Sequence, residues 1–197
     1  GDSNVAIGFK ALFTEDAHGA NIAIGDSALR NLNAGANGFN TAVGNEAGIS
    51  VTTGIRNTLI GGSSGDSITD ADNNTAVGFN TLITNILGSK SIAIGSFALE
   101  SQNPATATDM HNVAVGVSAG GAVTTGKENT IVGGLAFDAN TVGERNVAIG
   151  YKAQSSDVAG WKTVAIGHGA LENQNFSTAT DSFNVAVGHS AGNDVTT

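Results

Sequence analysis

The stretch Asn146-Val147-Ala148-Ile149-Gly150-Tyr151-Lys152-Ala153 holds in eight residues the phrase from which the whole chain is built. Its centre is a β-branched residue, a residue that is Ala in nine copies, then Ile or Val, then Gly. The phrase returns eleven times and closes on Gly8, Gly25, Gly44, Gly61, Gly78, Gly95, Gly116, Gly133, Gly150, Gly167 and Gly188. The steps between these glycines are 17, 19, 17, 17, 17, 21, 17, 17, 17 and 21 residues. A period near 17 is too short for a helix pair or a propeller blade. It fits one turn of a solenoid made of two short strands and two turns.

Positions are numbered here from the repeat glycine. Position −3 is β-branched in every copy, and position −1 is always Ile or Val. Between them stands Ala, replaced only by Leu59 and Ile131. Strand side chains alternate, so the β-branched pair shares one face and the Ala takes the other. Both faces are apolar, as in a strand covered on two sides. After the glycine, position +3 is small (Ala11, Ala28, Ala47, Ser64, Thr81 and so on to Ala191), whereas +2 is polar in eight of eleven copies. The two segments thus read as opposite walls of a flat roll, with small side chains meeting inside.

If Ala points inward, the outward side is an apolar ladder running the length of the chain. Its aliphatic members are Val5, Ile7, Ile22, Ile24, Val43, Ile60, Val77, Ile92, Ile94, Val113, Val115, Val132, Val147, Ile149, Val164, Ile166, Val185 and Val187. A monomer would expose an unusually long stripe. Self-association through that seam is the economical expectation.

Asn precedes the strand in nine copies, with Ser91 and Thr163 in the others. Asn tolerates positive φ, and its amide can bond neighbouring backbone or stack from coil to coil. Four coils make a longer unit of 72 residues: Val51-Thr52-Thr53-Gly54 recurs as Val123-Thr124-Thr125-Gly126, and Val195-Thr196-Thr197 begins it again. Residues 1–197 therefore read as one repetitive segment of a continuing array. Once per unit the connection lengthens, in Arg30 to Phe39, Glu100 to His111 and Glu172 to Phe183. These read as surface loops, which tolerate added length and can also present a binding face.

Composition narrows the functional classes. With 28 Gly, one Pro, 13% charged and 5% aromatic residues, there is little bulk for a globular core. A formal charge of −9 argues against nucleic acid or an anionic membrane as partner. No run approaches the roughly 18 apolar residues that a membrane-spanning helix needs. The chain has no Cys, which excludes disulfides and thiolate metal sites.

No Ser/His/Asp set or carboxylate pair stands out from the periodic background, and no strand-to-helix phosphate loop is present, so neither catalysis nor a cofactor is expected. The acidic run Asp66 to Asp72 lacks calcium-roll and EF-hand spacing and reads as a solvated turn. Trp161, the single Trp, reads as packing beneath a loop. Of the four histidines, His18, His111, His168 and His189, the last two both follow the repeat glycine. That places them on adjacent coils about 4.8 Å apart. The same position holds Phe9, Asp26, Asn45, Phe79, Ser96, Val117 and Tyr151 elsewhere, which reads as a variable exposed site, and no metal is assigned to it.

The phrase Asn-Val-Ala-Ile-Gly followed by two variable residues and a small one, as in Asn4 to Ala11, Asn146 to Ala153 and Asn184 to Ala191, resembles the head repeat of YadA-type trimeric autotransporter adhesins. It is similar also to repeats in phage tail fibres. The resemblance covers essentially the whole chain, although a coil of 17 residues is longer than the compact head repeats of those adhesins. It implies an all-β, left-handed parallel β-roll assembled as a homotrimer, on the outside of a cell or on a virion. The expected role is a structural or adhesive fibre segment whose loops meet a host-surface protein or glycan. A solenoid that polymerises into an extracellular filament or sheath is the alternative. A carbohydrate-active or ice-binding solenoid fits less well, since neither a carboxylate cluster nor a Thr-x-Thr ladder recurs.

Overall fold

The computed structural model describes residues 2–15 and 19–197; His18 lies outside the described residues. The strands are β1 (Val5–Ile7), β2 (Ile22–Ile24), β3 (Thr41–Val43), β4 (Thr58–Ile60), β5 (Thr75–Val77), β6 (Gly88–Ser89), β7 (Ile92–Ile94), β8 (Thr108–Asp109), β9 (Val113–Val115), β10 (Thr130–Val132), β11 (Val147–Ile149), β12 (Gly160–Trp161), β13 (Val164–Ile166), β14 (Thr180–Asp181) and β15 (Val185–Val187). Eleven of them, one per repeat, form a single parallel sheet in the order β1-β2-β3-β4-β5-β7-β9-β10-β11-β13-β15. Every pairing joins equivalent residues, for example Val147 with Val164 and Ile149 with Ile166. The chain is an all-β parallel solenoid of eleven turns.

The second wall is not a strand, contrary to the expectation of two strands per coil. Positions +2 and +4 adopt positive φ in all eleven copies, as at Lys152 (57°) and Gln154 (53°). That alternation turns successive N–H groups toward opposite neighbours. Lys152 donates to the Gly134 carbonyl of the coil before, and Gln154 donates to the Ala170 carbonyl of the coil after. The wall is therefore a ribbon of tight turns, hydrogen-bonded between coils as a sheet would be. A left-handed conformation costs a side-chain-bearing residue roughly 1–2 kcal/mol. The expense is offset where the +4 side chain is buried, as it is for Leu29, Leu82, Leu99 and Phe137.

The interior has the predicted small residues. Ala23, Ala42, Ala76, Ala93, Ala114, Ala148 and Ala165 on the strands are fully buried, as are Ala28, Ala47, Ala98, Ala119, Ala136, Ala153 and Ala170 opposite. The two strand exceptions have a packing reason. Leu59 fills the space left by Gly48, where an added Cβ would lie 2.6 Å from the Leu59 Cδ1 atom. Ile131 does the same for Gly120, at 2.8 Å, one 72-residue unit later. Bulk and glycine thus exchange sides of the roll at constant volume.

The repeat glycine itself is required twice over. Its φ lies between 125° and 144° in all copies. At Gly133 an added Cβ would also meet the Gly150 carbonyl oxygen at 2.5 Å.

The Asn before each strand forms the rungs of the stack, but not by adopting positive φ. The left-handed residue is the one before it: Arg56, Asn73, Glu128 and Arg145 stand at 58–60°. The Asn side chain points inside. Asn129 Oδ1 accepts the N–H of Asn146 at 2.9 Å, and its Nδ2 donates to the Gly143 carbonyl on the other wall at 2.8 Å. Asn57 repeats this toward Asn74 and Ala71, at 2.9 and 2.8 Å. Each amide ties coil to coil and wall to wall, and Asn57, Asn74, Asn129 and Asn146 are all buried.

Asn129→Ala would strand a buried N–H and a buried carbonyl. The expected loss is roughly 2–4 kcal/mol, measured as a lower urea midpoint with little change in slope. Glu128→Ala, one residue away on the exposed surface, should stay within about 0.5 kcal/mol.

Candidate functional site

All eighteen aliphatic seam residues lie on the single eleven-stranded sheet, in register, on the face opposite the buried Ala row. Thr41, Thr58, Thr75 and Thr130 complete the −3 row, so that row is mixed while the −1 row is wholly aliphatic. Neighbouring rungs shelter one another. Val43, Val77, Val115, Ile149 and Ile166 are half-buried within the stack, whereas Ile7 (59%) and Val187 (66%) on the outermost coils are more open.

Position +1, which in the sequence reads as a variable exposed site, forms a third row in the structure. At position +1, Phe9, Phe79, Val117 and Tyr151 are all exposed and continue the apolar stripe past the end of the strands. The rings are seated by glycine. Gly62 precedes Phe79 by one coil, and a Cβ there would touch the ring at 3.4 Å; Gly134 stands in the same relation to Tyr151, at 3.6 Å. The signal lay in the four-coil unit, where Gly62-then-Phe79 is repeated as Gly134-then-Tyr151. Phe97 packs edge-on against Phe79 at 5.7 Å, and His168 and His189 extend the Tyr151 stack.

The two copies lacking Asn, at Ser91 and Thr163, belong to the coils that run on into the long loops 100–111 and 172–183. Ser91 is too short to serve as a rung, and Gln102 from the loop takes over. Its Oε1 accepts from the Ser91 hydroxyl at 3.1 Å and from Asn112 Nδ2 at 3.0 Å. Gln174 plays the same part after Thr163, accepting from Asn184 Nδ2 at 2.7 Å. The loops then add short parallel pairs, β6 with β8 and β12 with β14. Ion pairs Lys90–Asp109 and Lys162–Asp181, both 2.6 Å, sit at their exposed ends. Trp161 lies half-buried on β12, paired edge to edge with the second of these returns, where its carbonyl accepts the Ser182 N–H. Phe39 and Phe183 remain exposed at the two loop ends they occupy.

No protein family, curated protein or solved structure matches the chain.

Among the described residues no ligand-sized cavity opens, and no three His, Asp or Glu side chains converge. The acidic run expected as a solvated turn is more structured than that. Asp70 accepts from the hydroxyls of Thr52 and Thr53 at 2.9 and 2.7 Å, and Asp72 accepts the Ile55 N–H at 2.8 Å. Partial burial raises the Asp66 carboxyl above the usual carboxylate range, with the charge of Glu46 adding to the effect. Asp138 is also raised by burial, against a hydrogen bond and Lys152 that pull it back.

The folded state therefore holds the Asp66 proton to higher pH than the unfolded chain does. Stability falls as pH rises from the unfolded value through the folded one. Asp66→Asn is expected to raise the melting temperature at about pH 7 and to leave it unchanged near pH 3, where both states are protonated. The gain is small, because much of the side chain reaches solvent.

Proposed function

We propose that this chain is a segment of a rigid fibre in which three copies share one axis, burying their outward strand ladders against one another. One observation carries the reading. Of the seventeen large hydrophobic side chains exposed among the described residues, twelve stand at positions −3, −1 and +1 of the repeat, on one side of the roll. A stripe so long and so confined is the mark of an association surface rather than of scattered exposure. The other five, Phe13, Phe39, Ile86, Phe183 and Val195, do not join into a second row, which favours lateral contact through the stripe.

In this reading the solenoid supplies stiffness, since every coil is tied to the next by strand, turn-wall and amide hydrogen bonds. Its work is mechanical and adhesive, with no catalytic step assigned to the chain. The insertion loops recur every four coils, about 19 Å apart at the usual strand spacing. They are the faces from which a host-surface protein or a glycan would be engaged, and a fibre of this kind belongs outside a cell or on a virion. The number three and that location rest on the resemblance of the Asn-Val-Ala-Ile-Gly phrase.

Analytical ultracentrifugation at micromolar concentration tests the association. The expected species has three times the chain mass, and a folded monomer defeats the reading. Open-ended assembly would replace it with a polymerising filament. Val132→Lys combined with Ile149→Lys is expected to dissociate the assembly, whereas Thr125→Lys, on exposed surface away from the ladder, leaves it intact.

A further inference from the structure

His168 and His189 follow Gly167 and Gly188 directly, at the same point of consecutive coils. The strands leading into them pair in register, Val164 with Val185 and Ile166 with Val187. Both side chains therefore leave the backbone at equivalent places. Their rings stack with centroids 4.9 Å apart and planes within 6° of parallel. Tyr151, one coil earlier, continues the column at 5.4 Å from His168. Both histidines are exposed. His189 Nδ1 lies 3.1 Å from the Ser190 hydroxyl, an arrangement that occupies one ring nitrogen and leaves Nε2 as the donor to a ligand.

We propose that His168 and His189 form a two-imidazole site for a divalent transition-metal cation of the Zn2+, Ni2+ or Cu2+ class, with water completing the coordination. Imidazole is the commonest protein ligand for these ions. Two bonds of about 2.0–2.1 Å at a tetrahedral angle require donor atoms ~3.4 Å apart. From near-parallel rings with centroids 4.9 Å apart, each imidazole must lean inward and turn about χ2 until the lone pairs converge on one ion. The turn gives up the stacking of His168 on Tyr151 and on His189, and metal–nitrogen bonds take its place.

The coil spacing of the solenoid brings the two imidazoles within reach of one ion, because they stand one coil apart on the same row. His111 precedes Asn112 on a different row and has no such companion. No third His, Asp or Glu joins the pair among the described residues, so the remaining positions are open to solvent. The pair stands on the +1 row that the proposed association surface includes, so its stoichiometry is read on the assembled protein.

Calorimetric titration of the protein with ZnCl2 and CuCl2, together with electron paramagnetic resonance of the Cu2+ form, tests the assignment. The expected result is one Cu2+ per chain with coupling to two imidazole nitrogens. His168→Ala and His189→Ala should each weaken binding by about tenfold or more and leave a one-nitrogen signal. His18→Ala and His111→Ala should change neither. If an alanine variant is disturbed in folding, His168→Phe keeps an aromatic ring of the kind already present at Phe9 and Phe79, lacks the donor, and should lose binding equally. Absence of binding to the wild type, or binding that survives both His168 and His189 substitutions, overturns the proposal.

Discussion

A roll this thin hides much of its backbone from water, and every hidden N–H and carbonyl must find a partner within the roll. The strand ladder and the turn wall satisfy the groups that run between coils. They do not reach across the interior from one wall to the other. That gap is bridged by the buried amide before each strand: Asn57, Asn74, Asn129 and Asn146 accept from the next coil and donate to the opposite wall. An amide is the smallest side chain with an acceptor and a donor at the required reach. The period, the thickness of the roll and the spacing of everything displayed on it depend on this rung.

The exceptions show how strictly the constraint is enforced. Where Ser91 and Thr163 stand in place of Asn, the roll does not leave the interior unpaired. A glutamine enters from the insertion loop, Gln102 or Gln174, and restores the amide from another part of the chain. The loops are thereby anchored at buried polar points while their tips stay in solvent. Apolar packing follows a similar exchange, with Leu59 and Ile131 occupying volume that Gly48 and Gly120 vacate. On the outer face the same exchange recurs beside the sheet, where Gly62 and Gly134 seat the rings of Phe79 and Tyr151. That face carries the uninterrupted −1 row and the aromatic row beside it, the surface on which the proposed association rests.

Much of this architecture was legible in the sequence. The glycine steps set the number of coils and their register, because a side chain at that position cannot coexist with the next coil's carbonyl. The Ala between two β-branched residues told which strand face is inside. The turn wall is not legible as such, because small residues at +3 and polar ones at +2 give the alternation of a half-buried strand. The left-handed conformation of Lys152 or Leu135 leaves no trace in residue type. The aromatic row is hidden in the sequence for a related reason. Phe79 and Tyr151 recur only every fourth coil, and their seating over Gly62 and Gly134 depends on contacts between coils.

By itself the sequence determined what repeats: a parallel stack of eleven strands, Ala inside, aliphatic residues outside, and loops once in four coils. These follow from local rules, since strand alternation and a close-packed glycine are properties of a few adjacent residues. The tertiary structure decided how the repeats satisfy one another. It assigned the Asn to rungs rather than to left-handed turns, made glutamines their substitutes, and brought His168 against His189 at 4.9 Å. Such relations join residues at least ten positions apart, and only the spacing and register of the stacked coils bring them into contact.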